Sequence, residues 1–386
     1  MNTVRIGIIG MGNIGRYHAD YLLANKVPRA TLAAVGSTSP GKLAEFSQKG
    51  VTVFGTAEEM IASRAIDALI IATPHPQHPL QGIAALRAGL HVTVEKPIAS
   101  HKADAERLIA ESQSHPKQVF AAMFQLRVEP RYMMIREIIQ SGELGRLVRV
   151  VWIMSDWFRS EAYYQSGGWR ATWKGEGGGV LLNQCLHQLD ALQWMVGMPS
   201  RVQAQVGLGR HHDIEVEDEV TCYLEFPGGA TGAFITSTGE TPGSNRLEIA
   251  GTKGRLILEN DKLLFTRNAV PTDEWSATSK IGFKKPDTSM EEIPIPAAVT
   301  PHAQLMTNFV NAILDGEPLI APGEAGLHSV ELANAMLYSG LLGRAIDLPL
   351  DSVAYEKKLN ELIAGSKKEK KVVEVSSEDF AASFRR

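Results

Sequence analysis

Several classes of protein are excluded by what this chain lacks. Cysteine occurs only at Cys185 and Cys222 in 386 residues, in contexts without metal-ligand spacing. Usage this sparse argues against a disulfide scaffold and fits a reducing compartment. No run of about 18 apolar residues is present, so no membrane-spanning helix is expected. The N-terminal MNTVRIGIIGMG has none of the charged region, apolar core and cleavage site of a secretory leader, and a cytoplasmic location is expected. A formal net charge of -4 provides no basic footprint for nucleic acid. There are no internal repeats, and no bound metal is expected. What remains is ordinary globular composition, 44% hydrophobic and 21% charged, at a length that favours two domains.

The first third alternates short apolar runs with helical patterns. Strands are expected at 4–9, 31–35, 68–72, 91–94 and 119–123. Helical stretches fall between them, at 16–24, 42–48, 79–88 and 102–112. Such alternation, with continuously apolar strands, predicts a parallel sheet covered on both faces. After about residue 125 the pattern changes. A helix is expected at 130–139, a strand at 147–154 and a helix from about 179 to 196. From 202 to 265 strands dominate, separated by turns such as Pro227-Gly228-Gly229 and Gly251-Thr252-Lys253-Gly254, which implies an antiparallel-rich sheet. Residues 268–300 read as a long loop, and helices return at 302–314 and 323–342. The division expected is 1–124, 125–364 and a charged tail over 365–386, read as a solvated arm in which 371–375 could add an edge strand.

Gly10-Met11-Gly12-Asn13-Ile14-Gly15 follows the first strand and opens the first helix. In that context the glycines serve a tight turn, close approach to a pyrophosphate, and helix–strand packing, the signature of a Rossmann doubly wound sheet. The helix N-terminus then offers N–H groups to phosphate. The second strand ends in Gly36-Ser37-Thr38-Ser39-Pro40-Gly41-Lys42, without the carboxylate that would bind a ribose 2′-hydroxyl. Ser37, Thr38 and Lys42 would suit a 2′-phosphate, which favours NADP over NAD. Thr73, Pro74, His75 and His78 follow the third strand and would pass near the nicotinamide ribose and its phosphates.

Glu95-Lys96-Pro97 ends the fourth strand at the same ligand edge, and a fixed or cis bond before Pro97 would set the direction of the lysine. Further on, Gly177-Gly178-Gly179-Val180-Leu181-Leu182-Asn183-Gln184-Cys185-Leu186-His187-Gln188-Leu189-Asp190 reads as glycines opening a helix. Asn183, His187 and Asp190 would share one polar face beside a leucine face, the wall of a polar pocket. Before it, Asp156 to Trp173 holds three tryptophans, two tyrosines, Arg159 and Arg170. Trp157, Tyr163, Trp169, Arg170 and Trp173 are candidates to line a sugar pocket, which needs apolar faces beside a few polar donors. Arg127 is a candidate to meet a phosphate or carboxylate.

The glycine-rich start, the EKP tripeptide and GGGVLLNQCLHQLD together resemble the glucose–fructose oxidoreductase / inositol dehydrogenase (Gfo/Idh/MocA) family. The likeness covers roughly residues 3–350 and includes DEVTCYLEFPGGATG and LEIAGTKGRLIL. It implies a second α+β domain with a large, mostly antiparallel open sheet, whose free face makes homodimers or homotetramers. It further implies Lys96 and His187 as the catalytic pair, with Asn183 beside them where many relatives carry Asp, and with Glu95 and Lys96 also near the cofactor. The activity implied is NAD(P)-dependent oxidation of a hydroxyl of a sugar, anhydrosugar or polyol, or reduction of the keto form. Two alternatives share the fold: a glycosidase that keeps its NAD bound and oxidises its substrate transiently, and a non-enzymatic NADP-binding regulator.

Overall fold

The apolar runs of the first third become short parallel strands, each followed by a helix. The computed structural model describes residues 2–297 and 300–368. In it, β1 (Val4–Ile9) leads to α1 (Asn13–Leu23), β2 (Ala30–Gly36) to α2 (Ala44–Gln48) and β3 (Thr52–Phe54) to α3 (Ala57–Ala62). The alternation continues through β4 (Ala68–Ile71), α4 (His78–Arg87), β5 (His91–Val94), α5 (Lys102–Ser114) and β6 (Phe120–Ala122). The six strands pair in parallel in the order β3-β2-β1-β4-β5-β6. Strand order reverses between β1 and β4, which opens a crevice at their C-terminal ends. β3 and α3 carry little sequence signal, because the three strand residues are only partly covered; the helix is fixed by a capping box between Thr56 and Glu59.

The second half follows with α6 (Pro130–Gln140), β7 (Leu147–Met154), α7 (Glu161–Gln165) and α8 (Leu186–Val196). Then come β8 (Arg201–Leu208), β9 (Glu217–Glu225), β10 (Thr231–Ser237), β11 (Asn245–Gly251), β12 (Gly254–Glu259) and β13 (Lys262–Asn268). The chain ends with α9 (Thr272–Thr278), β14 (Thr288–Ile293), α10 (Pro301–Asp315), α11 (Gly326–Leu342), β15 (Ile346–Asp347) and α12 (Ser352–Gly365). The nine strands run β14-β13-β12-β11-β7-β10-β9-β8-β15, and every pairing is antiparallel except β7 with β10. Alternation places Val150, Trp152, Met154, Cys222 and Phe234 on the face covered by α8 and α11. Val151, Ile153, Thr221 and Tyr223 stand on the open face.

The chain returns to the first sheet after completing the second. Ala303, Leu305, Met306, Phe309 and Val310 of α10 join the core of β1, β4 and β5. Beyond α10, Ala122 donates its N–H to the Ala321 carbonyl at 3.0 Å. The two halves are therefore stitched by packing as well as by the connection after β6.

Three expectations are corrected or bounded. The helix expected from about residue 179 begins only at Leu186, because residues 179–185 are turns in which Gly179, Val180 and Leu181 donate to Glu217. The expected loop over 268–300 contains α9 and the edge strand β14; β14 pairs with β13 but is almost fully exposed, so it shows no apolar alternation. Of the expected tail, Ser366 to Lys368 are tied to Glu215. The remainder, including 371–375, lies outside the described residues. Among the described residues no helix is long and apolar enough to cross a membrane.

Candidate active site

The loop between β1 and α1 is built from backbone. Gly10 adopts φ +94°, a left-handed conformation, and a Cβ there would overlap the Ala72 carbonyl at the end of β4. A Cβ on Gly15 would overlap the Gly10 carbonyl oxygen, so α1 packs directly onto the turn. At Gly12 the situation is opposite: nothing lies within 4 Å of the Cβ position. Asn13 and Ile14 open α1 with no side-chain cap and no acidic residue in the first turn. Open space beside uncapped N–H groups at a positive helix end fits the diphosphate of a dinucleotide. At the end of β2, Ser37 Oγ accepts the Ser39 N–H at 3.2 Å and Thr38 is exposed. The nearest carboxylate that follows, Glu45, pairs with Arg16. The Lys42 side chain lies outside the described residues.

The loops after β4 and β5 are locked together by histidine. His78 sits with Nδ1 2.7 Å from the Pro97 carbonyl and Nε2 2.6 Å from the Thr73 carbonyl, so it bridges the two ligand-edge loops. Thr73 Oγ1 donates to Gln81 at 2.8 Å, and Pro74 precedes the short turn that carries His75. The His75 ring is buried, 5.8 Å from the Trp169 ring, with Nδ1 3.4 Å from the Glu176 carbonyl. The Lys96–Pro97 bond is cis. Glu95 turns inward: His18 Nε2 lies 2.7 Å from one carboxylate oxygen, and the other accepts the Lys96 N–H at 3.2 Å. Burial raises the Glu95 pKa, but His18, together with His302 and Lys96, brings it below the usual range.

Lys96 reaches the opposite wall and donates from Nζ to the Asn183 carbonyl at 2.6 Å. Burial lowers its pKa, while Glu95 and Glu176 act to keep it charged. Asn183 is not on the helix with His187, and its side-chain amide donates to the buried Glu176 carboxylate. His187, in the first turn of α8, is buried with Nε2 3.1 Å from the Gln125 amide nitrogen, and Nδ1 has no hydrogen-bond partner among the described residues. Burial, reinforced by Lys96 and His302, pushes its pKa well below the ordinary imidazole value, so the ring is neutral at pH 7. The turn between them is pinned from β9: Glu217 accepts the N–H of Gly179 at 2.8 Å and of Leu181 at 3.1 Å. Burial raises this carboxyl to about 7.

Asp190 does not face the crevice. It takes the Arg127 guanidinium through two bonds, at 2.6 and 2.8 Å, in a fully enclosed pair. Arg127 is thus committed beneath α8. Among the aromatic candidates, Trp173 is a core residue of the second sheet. Tyr163 and Trp169 flank the Arg170 guanidinium, each ring centre 4.7 Å from it, and Tyr163 Oη accepts from Arg170 at 2.9 Å. Trp157 stacks on Arg159 at 5.1 Å. The structure therefore gathers Lys96, Asn183, His187, His75, Tyr163, Trp169 and Arg170 around one crevice and leaves Arg127 and Trp173 outside it. Four participants were not anticipated: His18, Gln125, Glu176 and His302. Only Glu176 had a local signal, since it precedes the three glycines.

Comparison with known proteins agrees with this fold. Residues 4–123 match the family model described as an oxidoreductase family with an NAD-binding Rossmann fold, and 132–257 match the GFO/IDH/MocA C-terminal domain. A myo-inositol 2-dehydrogenase of Thermotoga maritima is 26% identical over 347 residues, 86% of this chain and 95% of that one. A trans-1,2-dihydrobenzene-1,2-diol dehydrogenase of Bos taurus is 27% identical over 298 residues, 72% of this chain and 85% of that one. Among solved structures, the WlbA dehydrogenase of Bordetella pertussis, in complex with NADH and UDP-GlcNAcA, superposes with a TM-score of 0.76 at 26% identity, covering 90% of this chain and 100% of that one. Two matched domains, the strand order and the phosphate loop all agree: the chain belongs to the GFO/IDH/MocA family of NAD-binding oxidoreductases.

Proposed function

We propose that the chain oxidises a hydroxyl of a sugar, anhydrosugar or polyol, or reduces the corresponding ketone. The observation that carries this reading is the meeting of the Lys96 ammonium with the Asn183 carbonyl beside a neutral, buried His187. A bound nicotinamide supplies the hydride acceptor. Neutral His187 takes the hydroxyl proton as the C–H bond breaks, and the Lys96 ammonium donates to the substrate oxygen as negative charge develops there. Asn183 holds the ammonium through its carbonyl and is itself held by Glu176. Gln125 contacts one ring nitrogen of His187, which fixes the ring's orientation. Aromatic faces at Trp169 and Tyr163 beside polar donors suit a hydroxylated ring. Relatives named for inositol and for a dihydrodiol point the same way.

We infer NADP over NAD, because the end of β2 carries Ser37 and Thr38 and no carboxylate to repel a 2′-phosphate. The open face of the second sheet, with half-covered Val151, Ile153, Ala233 and Ile235 at its centre, suits a homodimer or homotetramer. The test is absorbance at 340 nm with NAD or NADP against neutral and acidic sugars, polyols and glycosides. Reduction of the cofactor with one sugar class, at a lower KM for NADP, is expected. Release of an aglycone without net reduction would instead support the glycosidase with bound NAD. Dinucleotide binding with no chemistry at all would support the regulator.

A further inference from the structure

Two guanidinium groups enclose one ring at the crevice. Arg159 Cζ lies 4.9 Å from the centre of Tyr163 and Arg170 Cζ lies 4.7 Å from it. Tyr163 Oη also accepts from Gln184 Nε2 at 3.1 Å, and Gln184 directly follows the residue whose carbonyl holds Lys96. The two arginines therefore adjoin the proposed reaction centre. Their charges are felt there, since Arg159 lowers the pKa of Lys96 and Arg170 lowers that of His75.

Arg159 differs from the other arginines of the interior. Arg127 satisfies a buried carboxylate with two bonds. Arg159, among the described residues, forms no ion pair; its side chain donates from Nη1 to the Phe158 carbonyl at 3.0 Å, and its buried Nε has no acceptor. Of the acidic groups beside Lys96, Glu95 is engaged with His18, and Glu176 with Asn183 and the Ala171 N–H. An enclosed cationic N–H without an acceptor is unfavourable unless an anion arrives to meet it. A guanidinium stacked on aromatic rings is fixed in direction, and its remaining N–H groups suit a carboxylate or phosphate.

We propose that Arg159, with Arg170 across the Tyr163 ring, binds a carboxylate or phosphate carried by the substrate, so that the preferred sugar or polyol is an acidic one. This rests on the function proposed above and narrows its substrate class.

The test has a kinetic arm and a binding arm, both on the full chain saturated with its preferred dinucleotide. The kinetic arm compares kcat/KM for glucose, glucuronate and glucose 6-phosphate, and for galactose and galacturonate. An acidic member is expected to exceed its neutral counterpart by about 30-fold, and Arg159→Gln to reduce that ratio by a similar factor, with Arg159→Lys between the two. A higher value for glucuronate assigns a carboxylate, and a higher value for glucose 6-phosphate assigns a phosphate. Neutral sugars preferred, or a ratio unchanged in Arg159→Gln, would overturn the proposal. The binding arm follows tryptophan fluorescence during titration with malonate or inorganic phosphate. Saturable quenching that weakens about tenfold in Arg159→Gln and partly returns in Arg159→Lys is expected. Absent quenching, or quenching identical in the variants, would overturn the anion site. If no compound is turned over, the function proposed above fails, and the fluorescence titration alone decides the anion site.

Discussion

The loop at Gly10–Gly15 and the turn at Glu176–His187 face the same crevice, yet one is assembled from consecutive backbone and the other from side chains far apart in sequence. The loop needs only a positive φ at Gly10, open space at Gly12 and the N-terminus of α1. The turn needs Glu217 from β9 beneath it, Lys96 across from it and Gln125 beside it. Backbone geometry of the first kind serves any dinucleotide of the class. In the function proposed above, side-chain geometry of the second kind is where substrate and chemistry are chosen.

The sharpest separation between the two regions is expected at Lys96 and His187. Alanine at either should lower kcat/KM by about 10³- to 10⁴-fold, while dinucleotide affinity, read by fluorescence, stays within about threefold. Equal losses of turnover and affinity would erase the distinction between loop and turn. The next largest effect is structural. Arg127→Ala strands Asp190 in a fully enclosed site beneath α8, and thermal unfolding should report at least about 3 kcal/mol of lost stability.

Glu217 sharpens the comparison through pH. Its carboxyl ionises near 7 in the folded protein, above the ordinary value of 4.5. Between those two values the folded state holds more proton than the unfolded state, so stability falls as pH rises through that window and levels off above it. The fall is about 3 kcal/mol, and Glu217→Gln should flatten it, because the amide oxygen still accepts from Gly179 and Leu181 without ionising. An unchanged pH dependence of unfolding in the variant would remove Glu217 from this role. The smallest effects belong to the loop. Gly10→Ala should cost about 2 kcal/mol of stability, since its backbone is left-handed and its Cβ position is occupied. Gly12→Ala should leave the melting temperature unchanged and weaken dinucleotide binding about tenfold, because the methyl enters the space a diphosphate needs.

The same contrast explains what was legible in the sequence. β1, β5 and β7 are read to the residue, because continuous or alternating apolar side chains mark them locally. The phosphate loop is equally local. Lys96 and His187 are marked as candidates by the tripeptide and the glycine-rich segment and by the family resemblance those carry, and the fold brings them to Asn183 and Gln125 respectively. The early start of the helix before His187 is misread because VLLNQCL has helical composition, while Glu217, 38 residues from Gly179, holds the segment's start as a turn. Gln125 and His302 carry no local mark, since Gln125 meets His187 62 residues away and His302, on the returning α10, meets Tyr17 and His18 of α1. Arg127 looks like a ligand-binding residue until Asp190, 63 residues away, is seen to take the Nε–Nη2 edge of its guanidinium. Arg159 shows the reverse, an ordinary loop arginine in sequence that folding leaves without a carboxylate among the described residues.

The central claim is that hydride passes between a carbinol carbon of the substrate and the cofactor at the Lys96–His187 site. The most direct measurement is mass spectrometry of the reduced dinucleotide after turnover of a substrate deuterated at that carbon. One deuterium in the cofactor, formed far more slowly by His187→Ala, is the predicted result. Reduced cofactor without deuterium, or undiminished transfer in the variant, would contradict the account.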